Sequence, residues 1–245
     1  SELEKLLTDL ERVIRKVVED LRRLLEEHKK ALDEDKKRDE DSNEELADAI
    51  RKVIEKLKRT TDEEIIERAL RELLKVATEV IKKNIESNRE SVKVTRRVIK
   101  DIVEVVKRLI DVLRKVIKEI VRRDPRRDKA EKVRRLVEEL ARRLEELLRE
   151  IRKLLEDSTR KVERLNEEVE RLLRELAETV KELTDKRARE EDTKRLLEKI
   201  HDDHRKLVEE NERLLREDHK TLEDLIRKIK KLAEEILELT ARETK

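Results

Sequence analysis

The chain has 245 residues, 54% charged and 35% hydrophobic, with 67 basic against 65 acidic side chains and a net charge of +2. It contains one Pro and no Gly, Cys, Met, Phe, Tyr, Trp or Gln, although average usage of Gly alone, about 7%, would supply roughly 17. This composition excludes disulfides and thiolate chemistry, leaves little turn chemistry for a sheet protein, and creates no net field to recruit nucleic acid or an anionic membrane.

The first stripe runs Leu3, Leu7, Leu10, Ile14, Val17, Leu21, Leu24, His28, the three-four spacing of a helix with one buried face. Ser1 and Glu4 open it as a capping box. From Asp33 to Glu45 no hydrophobic residue occurs, and the stripe resumes at Leu46, Ile50, Val53 and Leu57. Asp is a poor interior helix former, so this segment reads either as a loop, with Ser42 and Glu45 capping a second helix, or as one strained helix.

The later breaks decide between these readings. They fall at Thr60-Thr61-Asp62, Arg123-Asp124-Pro125 and Thr184-Asp185-Lys186, where Asp and Thr supply caps and Pro125 suits a first helical turn. Four similar quarters result, and the first matches the others only as one continuous rod, roughly 85 Å long at 1.5 Å per residue. The expectation is an all-α fold, an elongated antiparallel four-helix bundle in a single domain over 1–245. Its helices of roughly 55–60 residues span about 2–59, 62–122, 126–183 and 187–242, with local unwinding near 38–42.

In the second helix the stripe turns polar: Ile66, Leu70, Leu73, Ala77 and Val80 give way to Asn84, Ser87, Asn88, Ser91 and Thr95, then to Val98, Ile102, Val105 and Leu109. An unpaired buried polar group costs roughly 1–3 kcal/mol, so these residues require partners. Levelled from the shared bundle end, Ser42, Asn166 and His204 lie about 18 residues in, with Asn84 a turn deeper. Asp35, Asn88, Thr159 and Asn211 lie about 25 in, with Ser87 and Ser158 adjoining; His28, Thr95 and Asp218 lie about 32 in, beside His219. The levels are one heptad apart, and 28-35-42 and 204-211-218 each step by seven. The middle of the bundle therefore reads as stacked hydrogen-bond layers, which penalise slipped registers. His28 and His204, on the stripe, are expected to be buried and neutral, whereas His201 and His219 lie beside it.

The second helix also carries about four apolar residues per heptad through Val121, against about three elsewhere. A square bundle has no place for that extra width, so Val103, Val106, Ile110, Leu113 and Ile117 are expected to form a self-association face.

STRKVERLN (158–166), ELTD (182–185) and TTDEEIIERAL (60–70) resemble phrases of computationally designed helical bundles with buried hydrogen-bond networks. The restricted alphabet is similar throughout, although those designs commonly use Gln in networks and Gly in loops. The resemblance implies a de novo scaffold or assembly element without evolved activity.

Candidate chemistry is sparse. His201 and His204 stand at i, i+3, with Asp202, Asp203 or Asp39 as a further ligand, but the Glu-x-x-His pairing of di-metal bundles is missing, and network membership is the better reading. Ser42, Ser87, Ser91 and Ser158 lie in helix interiors with no free N–H for an oxyanion hole. The basic stretch around Pro125 is mixed in charge and lacks aromatics for stacking, and the acidic run 33–41 lacks a calcium loop's Gly. No run approaches the ~18 apolar residues of a membrane span, and no signal-peptide core opens the chain. The expectations are therefore a soluble non-enzyme with no targeting segment, no cofactor or metal, and no nucleic-acid, membrane or small-molecule partner. It would act as a monomeric scaffold or as an interaction protein, the latter self-assembling through the second helix or binding a designed partner, with a histidine-linked pH response as its sharper form.

Overall fold

A computed structural model describes residues 2–123, 128–185 and 190–243. The chain forms four helices, α1 (Glu2–Arg59), α2 (Glu63–Arg123), α3 (Asp128–Asp185) and α4 (Glu190–Glu243), of 58, 61, 58 and 54 residues. The chain is an all-α four-helix bundle. Ser1, Asp124, Pro125 and Lys186, which carry part of the expected capping chemistry, lie outside the described residues.

The α1–α2 turn shows how its sequence ends one helix and begins the next. The Thr60 amide still donates to the Lys56 carbonyl at 3.1 Å, and Thr60 Oγ1 then accepts from the Asp62 amide at 3.1 Å. Asp62 Oδ1 accepts from the Glu64 amide at 3.0 Å, satisfying an orphan donor of the first turn. Lys56, Lys58 and Arg59 before the turn, and Glu63 and Glu64 after it, complement the two helix dipoles.

The doubtful segment of α1 is helical throughout, without unwinding at 38–42. Leu32, Asp39 and Leu46 step by seven and all three are buried, so the stripe crosses the acidic run with two of its Asp residues, Asp35 and Asp39, inside.

Two compact units share the four helices. One comprises residues 1–30, 94–157 and 217–245; the other comprises 31–93 and 158–216. The first has an unbroken apolar core to which α2 contributes ten buried residues and α1 only five, Leu10, Ile14, Val17, Leu21 and Leu24. This asymmetry corrects the expectation of a self-association face. Val103, Val106, Ile110 and Leu113 are buried within the single chain, and Ile117 is half-buried against the same core. The broad α2 stripe fills the space that the narrow α1 stripe leaves, so a square bundle of equal arcs was the wrong premise.

The second unit has a core interrupted by polar residues. Leu46, Leu70, Leu73, Leu176 and Leu197 belong to its main cluster, while Ile81, Ile85 and Val169 form a separate small one. Within this unit Asn88 and Arg89 on α2 meet Asn166 and Glu163 on α3, numbers rising against numbers falling, which is antiparallel. Asn84 and Asn88 meet His204 and Asn211 on α4 in rising order, which is parallel. Among the described residues, no helix is long and apolar enough to cross a membrane.

Candidate functional site

The polar interior of the second unit begins at Asp35, which is fully buried on α1. A carboxylate there requires donors, and α2 supplies two hydroxyls at i, i+4 on one face. Ser87 Oγ donates to Asp35 Oδ1 at 2.9 Å and Ser91 Oγ donates to the same oxygen at 2.8 Å. Arg38, one turn along α1, keeps its guanidinium near solvent while its Nε donates to Ser87 Oγ at 2.8 Å, and its terminal nitrogen lies 3.6 Å from Asp35. Two hydroxyls and one cation thus meet a single buried charge.

The next turn of α1 brings in Asp39, 1% exposed, and across from it stands Glu212 of α4, half-buried. Asp35, Asp39 and Glu212 each offer an oxygen within 4.8 Å of the others. Ionised carboxylates only accept hydrogen bonds, so such a group holds together only if protons are shared. Burial pushes the Glu212 carboxyl up to about 10, helped by its contacts with Asp39 and Asp35. Burial likewise raises Asp39 to about 7, with the neighbouring Glu212 and Asn211 side chains opposing and the Asp35 charge adding to the rise. Glu212 is therefore the member that keeps its proton at neutral pH.

Beside this cluster lies an amide layer. Asn88 Nδ2 donates to Asn166 Oδ1 at 2.9 Å, and Asn211 Nδ2 donates to Asn88 Oδ1 at 2.9 Å. Asn88 thereby uses both ends of its amide and ties α2 to α3 and α4. Asn84 Nδ2 lies 3.1 Å from His204 Nε2, so that ring nitrogen accepts and the imidazole carries its proton on Nδ1. His204 is fully buried, and burial lowers its pKa to about 4, with the nearby His201 acting in the same direction.

The first unit has its own polar group. His28, 1% exposed, places Nδ1 2.8 Å from His219 Nδ1 and Nε2 3.1 Å from Thr95 Oγ1. The two rings are nearly parallel, 7° apart. Burial lowers the His28 pKa to about 4, and the neighbouring imidazole of His219 lowers it further.

Of the residues assigned to the layers from sequence, His28, Asp35, Asn84, Ser87, Asn88, Ser91, Thr95, Ser158, Asn166, His204, Asn211 and Asp218 are buried. Thr159 is half-buried. Ser42 is a correction: expected in the buried layer of Asn166 and His204, it is half-buried and lines a surface groove with Arg38 and Ser87. His219 is another, being bonded to His28 where a bystander was expected.

Counting put Asn166 level with His204, but it bonds Asn88 of the next level. Helical side chains lean toward their own N-terminus, so residues on antiparallel helices meet with their Cα atoms axially offset. Asp39 gathers with Asp35 and Glu212, not with His201 and His204. The burial of Asp39 and Glu212 was missed, although two signals were present: Asp39 lies seven residues from Leu32 and Leu46, and Glu212 lies seven from His219. No protein-family model, curated protein or solved structure matches the chain.

Proposed function

We propose that the chain is a structural scaffold of designed origin, in which buried polar layers fix the register of the helices and no evolved chemistry is carried out. The observation that supports this reading is Asn88, whose donor and acceptor are both consumed by asparagines on two other helices. A register shifted by one turn would leave all three amides buried without partners, at roughly 1–3 kcal/mol for each orphaned group. An apolar core imposes no such penalty, since one Leu layer packs on another almost as well. The restricted alphabet and the short capped turn fit a sequence chosen for one architecture.

The test exchanges Asn88, Asn166 and Asn211 together for Leu. Helicity and the denaturation midpoint should hold or rise, because apolar replacement of a buried polar group is often neutral or stabilising. The methyl NMR spectrum should pass from one set of resonances to several. A single, equally sharp set in the variant would contradict the proposal.

A further inference from the structure

We infer that Asp35, Asp39 and Glu212, with the Asn211 amide beside them, form a binding site for one calcium-sized divalent cation inside the second unit. The first argument is geometric. Two oxygens bound to one ion can be separated by at most twice the metal–oxygen distance, about 4.8 Å for Ca²⁺ at about 2.4 Å. The three carboxylates already present oxygens within 4.8 Å of one another. Mg²⁺ dehydrates reluctantly and usually keeps several waters, so a buried set of protein oxygens suits Ca²⁺ better.

The second argument is what the site leaves unsatisfied. Asp35 uses one oxygen for both serine hydroxyls, and its Oδ2 accepts nothing. Neither oxygen of Asp39, nor Oε1 of Glu212, is matched to an N–H or hydroxyl group of the protein. Independently of the acids, Asn211 is 2% exposed, its amide reaches Asp39, and its Oδ1 is also without a donor. Carboxylate and amide oxygens without donors are the ligand set that a hard cation takes and that softer metals do not prefer. Amide N–H groups or further hydroxyls would have closed the network; here the unmet groups are acceptors.

Charge points the same way. The groups facing the cluster are the three carboxyls and the Arg38 guanidinium, 3.6 Å from Asp35. Without an ion the cluster is held by a proton on Glu212; a divalent ion would displace that proton and pair with the carboxylates together. An open groove reaches Arg38 and Ser87, the two residues that separate it from Asp35.

The test is calorimetric titration of the full-length protein with CaCl₂ at pH 7.5 after chelator treatment, with MgCl₂ as comparator. One Ca²⁺ per chain should bind with proton release, more tightly than Mg²⁺. Free Ca²⁺ at ten times its Kd should raise the folded-to-unfolded ratio about tenfold. Asp39→Asn with Glu212→Gln should abolish binding while the variant stays folded, because each amide replaces a raised-pKa acid without a buried charge. Asp41→Asn with Glu45→Gln, in the outer groove, should bind as before. Asn166→Leu, which touches only the amide layer, should also bind, so register and ion binding can fail separately. No heat and no stabilisation at millimolar Ca²⁺ would overturn the site, as would binding that survives Asp39→Asn with Glu212→Gln or a preference for Mg²⁺.

Discussion

His28 and His219 face each other through their Nδ1 atoms at 2.8 Å, and this contact has room for one proton. One ring donates Nδ1–H and the other accepts, so a second proton would set two N–H groups against each other. Burial, and after it the neighbouring His219 imidazole, hold the His28 pKa at about 4, below the ordinary 6.5, and His204 is held at about 4 by burial. For both, the folded pKa is depressed, so their stabilisation is complete above pH 6.5 and is lost as pH falls through about 4.

Asp39 and Glu212 have the opposite sign. Their folded pKa values, about 7 and about 10, lie above the ordinary 3.8 and 4.5. Their contribution is complete below about pH 4 and is lost as pH rises through those values. Between about pH 4.5 and 6.5 two histidines and two carboxyls therefore offset each other. Urea midpoints of the parent should be nearly flat across that window, whereas Asp39→Asn with Glu212→Gln should uncover an acid loss of up to about 1.4 kcal/mol per pH unit for each histidine. A variant as flat as the parent across that window would show that the histidines are not buried neutral.

On the alkaline side the Glu212 carboxyl, held up to about 10, continues to titrate above pH 7. The parent should lose stability steadily from pH 7 to 10, and Glu212→Gln should be flat over the same range. Thermal melts at pH 7, 8.5 and 10 check this; an alkaline loss of the same size in Glu212→Gln would place its origin elsewhere.

Removing one member of the amide layer should be worse than removing all of it. Asn88→Ala strands Asn166 Oδ1 and Asn211 Nδ2, and should cost about 2–4 kcal/mol in chemical denaturation. The triple Leu exchange should cost nothing or stabilise by about 1–4 kcal/mol. A larger loss in the triple variant than in Asn88→Ala would mean that the layer is a net source of stability.

Much of this architecture is legible in the sequence because heptad periodicity is a property of single helices. Leu10, Ile14, Val17 and Leu21 state which face of α1 is buried, and the Thr60–Asp62 turn carries its caps in three letters. Most residues of the polar interior were equally plain, since Asn84 to Thr95 replace apolar residues on a stripe. What could not be read was a relation between helices. The axial lean that pairs Asn166 with Asn88, and the unequal core shares that enclose Val103 and Ile110, depend on which helix faces which. Asp39 and Glu212 were obscured for a different reason: charged residues on a highly charged chain read as solvated, and their burial depends on one another.

The register claim is tested most directly by a distance across the second unit. The chain has no cysteine, so Lys75→Cys on α2 and Glu209→Cys on α4, both exposed, can carry spin labels without interference. A slip of one turn displaces one label by about 5.4 Å along the helix, and a slip of one heptad by about 10 Å. With Asn88, Asn166 and Asn211 intact, pulsed electron paramagnetic resonance should give one narrow distance distribution; with all three replaced by Leu it should give a second population, shifted by at most one of those steps because the labels are also separated across the helices. A single distribution of unchanged width in the Leu variant would contradict the claim that these layers set the register.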